Sequence, residues 1–116
     1  MAHMIPDREQ AELVDNLIQE LRRGVIPLAV LSQLQEEQYG YSIMKSLAEK
    51  GFQVDQGTLY PLLRRLESQG LLRSTWRIED SRPRRYYVVS GEGRRVLAQL
   101  REEWARIQAT VAPLIE

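Results

Sequence analysis

The sequence lacks cysteine, and its only histidine, His3, stands in the opening segment Met1-Ala2-His3-Met4. Without cysteine the chain has no disulfides, thiolate nucleophiles or zinc–thiolate sites. Residues 1–4 have the character of an expression scar before a native Met4, so no histidine base is expected in the protein proper. No carboxylate stands in a metal-ligand motif or beside a glycine-rich phosphate loop. We therefore predict that the protein is not an enzyme and uses no metal or cofactor.

Long apolar runs are also missing. No segment reaches the roughly 18 consecutive apolar residues of a transmembrane helix, and there is no signal-peptide pattern of basic, apolar and small residues. We therefore expect a cytoplasmic protein without membrane contact. The length of 116 residues, of which 43% are hydrophobic and 28% charged, suits one compact domain.

Net charge is zero, but the charges are unevenly distributed. Residues 1–56 carry five basic and nine acidic side chains, residues 57–90 carry seven arginines and three acids, and residues 91–116 carry four of each. Both lysines precede the middle block, so its basic side chains are all arginine, whose planar group suits phosphate and guanine edges. Such a block is typical of a nucleic-acid-binding surface. On charge alone, an ordinary solvated surface explains it equally well.

Hydrophobic periodicity predicts four helices before residue 70. The first spans Asp7 to Arg23 and stops at Gly24, the second spans Ile26 to Glu37, and the third runs from Tyr41 or Ser42 to Gly51 after a turn at "QYGYS". The fourth extends from about Gln56 to Gln69. This succession indicates a helix-turn-helix whose fourth helix reads DNA.

The fourth helix has two unlike faces. One narrow arc holds four leucines, and the opposite arc holds two helix-breaking residues beside a basic one: Leu59, Leu62, Leu63 and Leu66 against Gly57, Pro61, Arg64 and Ser68. Either Thr58 caps this helix, or the helix starts after Asp55 and Pro61 forfeits one hydrogen bond. The sequence leaves both starts open.

Two segments rich in β-branched and aromatic residues follow, Leu71–Ile78 and Arg84–Ser90, separated by "EDSRP". They predict a β-hairpin with a mobile, charged tip. We expect its apolar side to pack on the helices through Leu72, Trp76, Tyr87 and Val89. In the alternative, Trp76 and Tyr86 approach DNA. The predicted fold is mostly α with a small β-hairpin: a winged helix-turn-helix over residues 25–90, an N-terminal helix over 5–24 and a C-terminal helix over 91–116.

The C-terminal segment carries a coiled-coil pattern after a Ser90 cap. Apolar residues recur at alternating steps of three and four: Leu97, Leu100, Trp104, Ile107, Val111 and Leu114. We predict that this seam forms a homodimer, supported by Leu13, Leu17 and Leu21 of the first helix. The alternative is packing of the two terminal helices within one chain.

Three segments together, "YGYSIMKSL", "GTLYPLLRRLESQGLL" and "RPRRYYVVSGEGRRVL", resemble the PadR family of winged-helix transcriptional regulators. The short, single C-terminal helix is similar to that of the smaller members. Two positions depart from the family pattern: Ser90 replaces a common threonine, and Gly91 replaces a better helix former.

The resemblance implies a dimeric regulator, usually a repressor, that binds pseudo-palindromic double-stranded operator DNA and is often released by a small aromatic molecule. The family motifs match at Tyr41, Thr58, Leu59, Tyr60, Pro61, Arg84 and Tyr87.

The residues and the resemblance together define a predicted site. The candidate DNA contacts are Tyr41, Thr58, Tyr60, Pro61, Arg64, Arg65, Arg82, Arg84 and Arg85. Arg84 could equally brace a carboxylate within the fold. Trp104 is a candidate contact for an aromatic effector, with simple packing as the alternative. The competing function is a winged-helix module that binds an acidic protein partner.

Overall fold

The computed structural model describes residues 4–116, so the predicted scar lies outside the described residues except for Met4. Residues 4–116 form five helices and three strands. In order they are α1 (Asp7–Arg23), α2 (Val25–Gln33), β1 (Gln38–Tyr39), α3 (Gly40–Glu49), α4 (Gln56–Ser68), β2 (Leu72–Glu79), β3 (Arg82–Val89) and α5 (Gly91–Ile115). The predicted mostly helical winged fold is confirmed.

The sheet has three antiparallel strands in the order β1-β3-β2, where the sequence predicts only the β2–β3 hairpin. The additional strand is Gln38–Tyr39, which pairs with Tyr87 and Tyr86 of β3. The predicted turn over this segment is therefore wrong in part. Two residues are too few to show the alternation by which a strand is recognised.

The tip of the hairpin is much tighter than predicted. Pairing continues to Glu79 opposite Arg82, and only Asp80 and Ser81 form the turn, with φ of 52° and 63°. Positive φ at both central residues gives a turn whose twist matches that of the strands. The predicted five-residue mobile tip is wrong, because strand pairing extends through residues whose own β propensity is poor.

The core lies between the helices and the base of the sheet. α2 contacts α1, α3 and α5, and the amide of Val89 in β3 donates to the carbonyl of Leu34 at 2.8 Å. α2 ends at Gln33, before the predicted Glu37, and Leu34 leaves helical geometry so that the chain can turn toward β1. The core residues include Val30, Leu31, Leu34, Ile43, Leu47, Leu59, Leu62, Leu63, Leu66, Leu72, Tyr87, Val89 and Leu97.

α4 starts after Asp55, which decides between the two predicted starts. The Asp55 carboxylate accepts a hydrogen bond from the Thr58 amide at 2.7 Å, so Asp55 and not Thr58 is the N-cap. Pro61 then lies inside the helix and leaves the carbonyl of Gly57 without its usual partner. Both residues are exposed, so the lost bond lies on the solvent side.

The end of α4 is joined closely to the start of α5. Gly70 has φ of 81°, as expected for a left-handed residue after a helix. Ser90 caps α5 as predicted: its hydroxyl accepts from the Gly93 amide at 2.9 Å and donates to the Gly70 carbonyl at 2.7 Å. A Cβ on Gly93 would lie 2.1 Å from the Leu71 carbonyl oxygen. Gly93 therefore allows an approach that no larger residue would.

Candidate DNA-binding interface

The outward face of α4 presents two arginines. The four leucines of the predicted stripe are buried, while Gly57, Pro61, Arg64 and Arg65 are exposed. Within residues 4–116, neither arginine forms an ion pair. Both guanidinium groups therefore keep their charge free for a partner in solution.

Tyr60 is held between the two helices of the helix-turn-helix. It is half-buried, and a Cβ placed on Gly40 would lie only 2.0 Å from Tyr60 Cε1. The ring edge thus rests on the backbone at the start of α3. Its hydroxyl forms no hydrogen bond within the part of the chain that the structure describes. This hydroxyl is therefore available for a hydrogen bond to a nucleic acid.

Tyr41 and Thr58 border a cleft of about 660 Å³ between α1, α3 and α4. The exposed Tyr41 ring stacks on Tyr39, with 6.5 Å between the ring centroids. The Thr58 hydrogen bond lowers the pKa of the Asp55 carboxyl below its ordinary value, so this N-cap is ionised at neutral pH. The Thr58 amide is thus already used, and an acid competes with any phosphate at this helix end.

We define the wing as β2 and β3 with the turn between them. Its outer face contains a cluster of aromatic and charged groups. Arg84 pairs with Glu79 at 3.2 Å and lies 4.6 Å from the centroid of the Tyr39 ring. The Tyr86 hydroxyl donates to the same Glu79 carboxylate at 2.7 Å, and this hydrogen bond raises the pKa of Tyr86. Arg84 therefore braces a carboxylate within the fold, which is the alternative role predicted for it from the sequence.

Arg77, which sequence reasoning did not select, extends this outer-face cluster. It pairs with Glu37 at 2.5 Å and lies 4.9 Å from the centroid of the Tyr86 ring. The pair links the wing to the segment between α2 and β1. No local pattern joins residues 40 positions apart, so the sequence could not have revealed it.

Arg85 connects the inner face of the wing to α4. Its guanidinium donates to Glu67 at 2.6 Å and to the Ser74 hydroxyl at 3.0 Å, and Ser74 in turn donates to Glu67 at 2.5 Å. One acid of α4 thus holds residues of both strands. Arg85 therefore fixes the angle between the wing and α4, whether or not it also meets a phosphate.

The remaining arginines of the middle block are free. Arg82 at the tip and Arg73 on β2 are exposed and form no ion pair within residues 4–116. The five arginines among the predicted DNA contacts therefore divide into two groups. Arg64, Arg65 and Arg82 present free charge, and Arg84 and Arg85 are engaged by acids.

A cavity of about 320 Å³ separates α4 from the wing. Tyr60 and Arg64 line it from the helix, and Trp76, Arg84 and Arg85 line it from the strands, together with Tyr39, Gly40, Pro83 and Tyr87. The fold thus brings Tyr60 and Arg64 of the helix and Arg84 and Arg85 of the wing together around one cavity, which Pro61, Arg65 and Arg82 do not line. Trp76 is 63% exposed, so the prediction that it packs on the helices is wrong. The wing extends beyond the helices, which reach only its base.

Two apolar stripes lie away from this surface. Leu13, Leu17 and Leu21 of α1 are exposed, and so are Leu100, Trp104, Ile107 and Val111 of α5. Leu97, predicted as part of the same seam, is only 2% exposed and belongs to the core of the single chain. The two helices do not cover each other's stripes within one chain, which counts against the intrachain alternative.

Two further features, a membrane-spanning helix and a metal-binding cluster, are not found in the described part of the chain. No helix among residues 4–116 is long and apolar enough to cross a membrane. In the same range, no three acidic, histidine or cysteine side chains are grouped as a metal would require.

A helix-turn-helix with an arginine-bearing fourth helix and an adjoining wing defines a winged-helix DNA-binding domain. Comparison with known proteins identifies the family. Residues 28–99 match the family described as "Transcriptional regulator PadR-like family". The chain belongs to this family, whose members regulate transcription by binding DNA.

Individual relatives agree with this assignment. The transcriptional regulator Rv3488 of Mycobacterium tuberculosis is 39% identical over 93 residues, covering 77% of this chain and 87% of the relative. A crystal structure of a PadR family transcriptional regulator from Eggerthella lenta is 46% identical, with a TM-score of 0.87 and coverage of 94% of this chain and 97% of the other. A PadR-like transcription factor of Bacteroides fragilis is 33% identical, with a TM-score of 0.72 and coverage of 85% and 98%. These relatives are named as regulators, and none of the three is named as an enzyme.

Proposed function

We propose that the protein is a cytoplasmic, homodimeric repressor, without catalytic activity, that binds pseudo-palindromic double-stranded operator DNA. The observation that carries this proposal is the common surface formed by α4 and the wing. Arg64 of α4 and Arg84 and Arg85 of the wing line one cavity. A helix laid in the major groove and a wing along the adjacent backbone would contact one duplex together.

Free charge supports DNA as the partner. Arg64, Arg65, Arg73 and Arg82 have no acidic partner within residues 4–116, so each can neutralise a phosphate and release a counterion. An acidic protein would meet the same arginines, and charge by itself does not separate the two partners. Membership of a family of transcriptional regulators favours DNA.

The exposed stripes of α1 and α5 support a homodimer. α5 has 25 residues, about 37 Å of helix at 1.5 Å per residue, and the longest dimension of the chain is 62 Å. A second copy related by a two-fold axis would cover Leu17, Leu100 and Ile107 with the same residues of the first. Binding to two half-sites one turn of DNA apart would require the two α4 helices of the dimer to lie about 34 Å apart.

We extend the proposal to an aromatic effector that binds at Trp104 and releases the protein from DNA. Trp104 is 37% exposed on the α5 stripe, where the copies of a dimer would bring two indoles near the axis. A flat apolar molecule between them would bury area on both faces. Titrating aromatic compounds while recording tryptophan emission tests this idea, and unchanged emission over the whole series counts against it.

DNA binding is tested with a fluorescein-labelled duplex from the region upstream of the protein's own gene, by anisotropy over a salt series. We expect Arg64→Ala to weaken binding and to reduce the magnitude of the slope of log K against log salt by about 2, because a dimer carries two copies of Arg64. Tyr60→Phe should weaken binding with the slope retained, because it removes a hydroxyl and no charge.

Arg8→Ala is the matched control, since it removes one exposed positive charge from the first turn of α1, and Arg8 lines neither the cleft beside Thr58 nor the cavity between α4 and the wing. Equal salt slopes for Arg64→Ala and the unaltered protein would contradict the placement of α4 in the groove. Binding to polyglutamate with no binding to any duplex would favour the acidic-partner function instead.

A further inference from the structure

Two large apolar side chains stand exposed on the inner face of the wing. Trp76 is 63% exposed and Ile78 is 80% exposed. They alternate on β2, so they share a face, and their partners across the pairing are Arg85 and Pro83. We call Trp76, Ile78 and Pro83 the wing patch. The same face is buried nearer the helices, at Leu72 and Val89.

The wing patch is separate from the stripes attributed to the dimer. The other exposed large apolar residues among residues 4–116 lie on α1 and α5, apart from Met4 and Tyr41. Packing within the chain does not account for the wing patch, because the helices leave Trp76 63% exposed and Ile78 80% exposed. An exposed indole next to an exposed isoleucine is unusual enough to indicate a contact with a partner.

The charges around the wing patch indicate what kind of partner fits. The Arg85 guanidinium lies 5.6 Å from the centroid of the Trp76 ring, and the free Arg64 lines the same cavity as Trp76. Two nearby acids are already engaged: Glu67 by Arg85, and Glu79 by Arg84. The partner must therefore combine apolar edges with negative charge.

We propose that Trp76 and Ile78 contact the deoxyribose edges of duplex DNA in the groove beside the one that α4 reads. This inference rests on the proposed function and extends it to Ile78 and to Trp76, whose approach to DNA is predicted from the sequence only as the alternative to packing on the helices. Sugar C–H groups supply the apolar surface, and the phosphates between them supply the charge for Arg64 and Arg82. The contact adds affinity without neutralising a phosphate, so it leaves the salt slope unchanged.

The first measurement is the solvent exposure of Trp76 in the complex. The chain has two tryptophans, so labelling with 5-fluorotryptophan gives two fluorine resonances, and Trp76→Phe identifies which one belongs to the wing. A neutral nitroxide in solution should broaden the Trp76 resonance of the free protein. We expect the broadening to fall several-fold when the upstream duplex, or a scrambled duplex of equal composition, is bound. The Trp104 resonance serves as the internal reference.

The second measurement is affinity by anisotropy with the same two duplexes. We expect Trp76→Ala to weaken binding about tenfold at constant salt, since a buried aromatic contributes strongly to a contact, and to leave the salt slope unaltered. Trp76→Phe should retain most of the affinity. Thr75→Ala is the matched control, because Thr75 is exposed on the opposite face of the same strand.

Each failure has a distinct signature. If anisotropy shows a complex in which Trp76 stays as accessible as before and Trp76→Ala binds normally, the inference is overturned and the proposed function stands. If neither duplex binds at any salt concentration, both are overturned. If polyglutamate protects Trp76 and the duplexes do not, the wing patch is a protein-binding surface and the inference is overturned.

Discussion

Gly40 and Tyr60 provide a test of how the helix-turn-helix holds Tyr60, a proposed DNA contact. A Cβ on Gly40 would lie 2.0 Å from Tyr60 Cε1 and 2.8 Å from the Tyr60 hydroxyl, whereas ordinary contacts begin near 3.4 Å. Gly40→Ala must therefore displace the Tyr60 ring or the start of α3. We expect a loss of about 1–3 kcal/mol in the free energy of unfolding, the usual cost of overpacking.

Removing the ring should remove the cost. Tyr60→Ala is destabilising by itself, because the half-buried ring packs against the core. In the Tyr60→Ala background, however, Gly40→Ala meets no ring and should be neutral or stabilising by about 0.4–1 kcal/mol. The double-mutant cycle should therefore show a coupling of about 1–4 kcal/mol, the difference between the two effects. Tyr60→Phe should not relieve the clash, since the ring atom at 2.0 Å remains.

The assay is urea unfolding followed by far-UV circular dichroism, at one protomer concentration because the proposed dimer would make apparent stability depend on concentration. Gly24→Ala is the control: Gly24 has φ of −72° and ψ of −22°, and nothing lies within 4 Å of an added Cβ. It should stabilise slightly. Equal costs of Gly40→Ala with and without the Tyr60 ring would refute the reasoning.

Two further predictions concern assembly and pH. Ile107→Glu and Leu17→Glu place a charge on the exposed stripes of α5 and α1, so both should sediment as monomers at micromolar concentrations where the unaltered protein sediments as a dimer. A dimer that persists in both would count against the seam. The Thr58 hydrogen bond lowers the folded-state pKa of Asp55 below its ordinary 3.8. Its contribution to stability is therefore complete above the unfolded pKa and lost as pH falls through the folded one. In the Asp55→Asn protein, the urea midpoint should fall less as pH is lowered into the acid range than it does in the unaltered protein. An unchanged dependence of the midpoint on pH would show that this cap does not titrate as inferred.

The sequence could nominate the arginines of the proposed DNA-binding surface, but it could not predict which of them are engaged by acids within the fold. Arg64 and Arg85 look alike in sequence, since both are arginines in the same basic block. In the structure Arg64 has no acidic partner among residues 4–116, and Arg85 is held by Glu67 and Ser74. Ion pairs between residues 18 positions apart depend on how α4 packs on the wing, and no local pattern encodes that packing.

Local physics determined much of this protein from its sequence. The leucine stripe of α4, the extent of α1, the Ser90 cap and the family motif follow from periodicity, capping chemistry and residue spacing, which act within a few turns of chain. Tertiary structure alone decided the strand Gln38–Tyr39, the two-residue turn, the burial of Leu97 and the exposure of Trp76. Each of these depends on where a distant element stops: β3 provides the pairing for β1, and the helices end short of the outer wing. The burial of a residue depends on which elements pack against it, and that packing exists only in the folded chain.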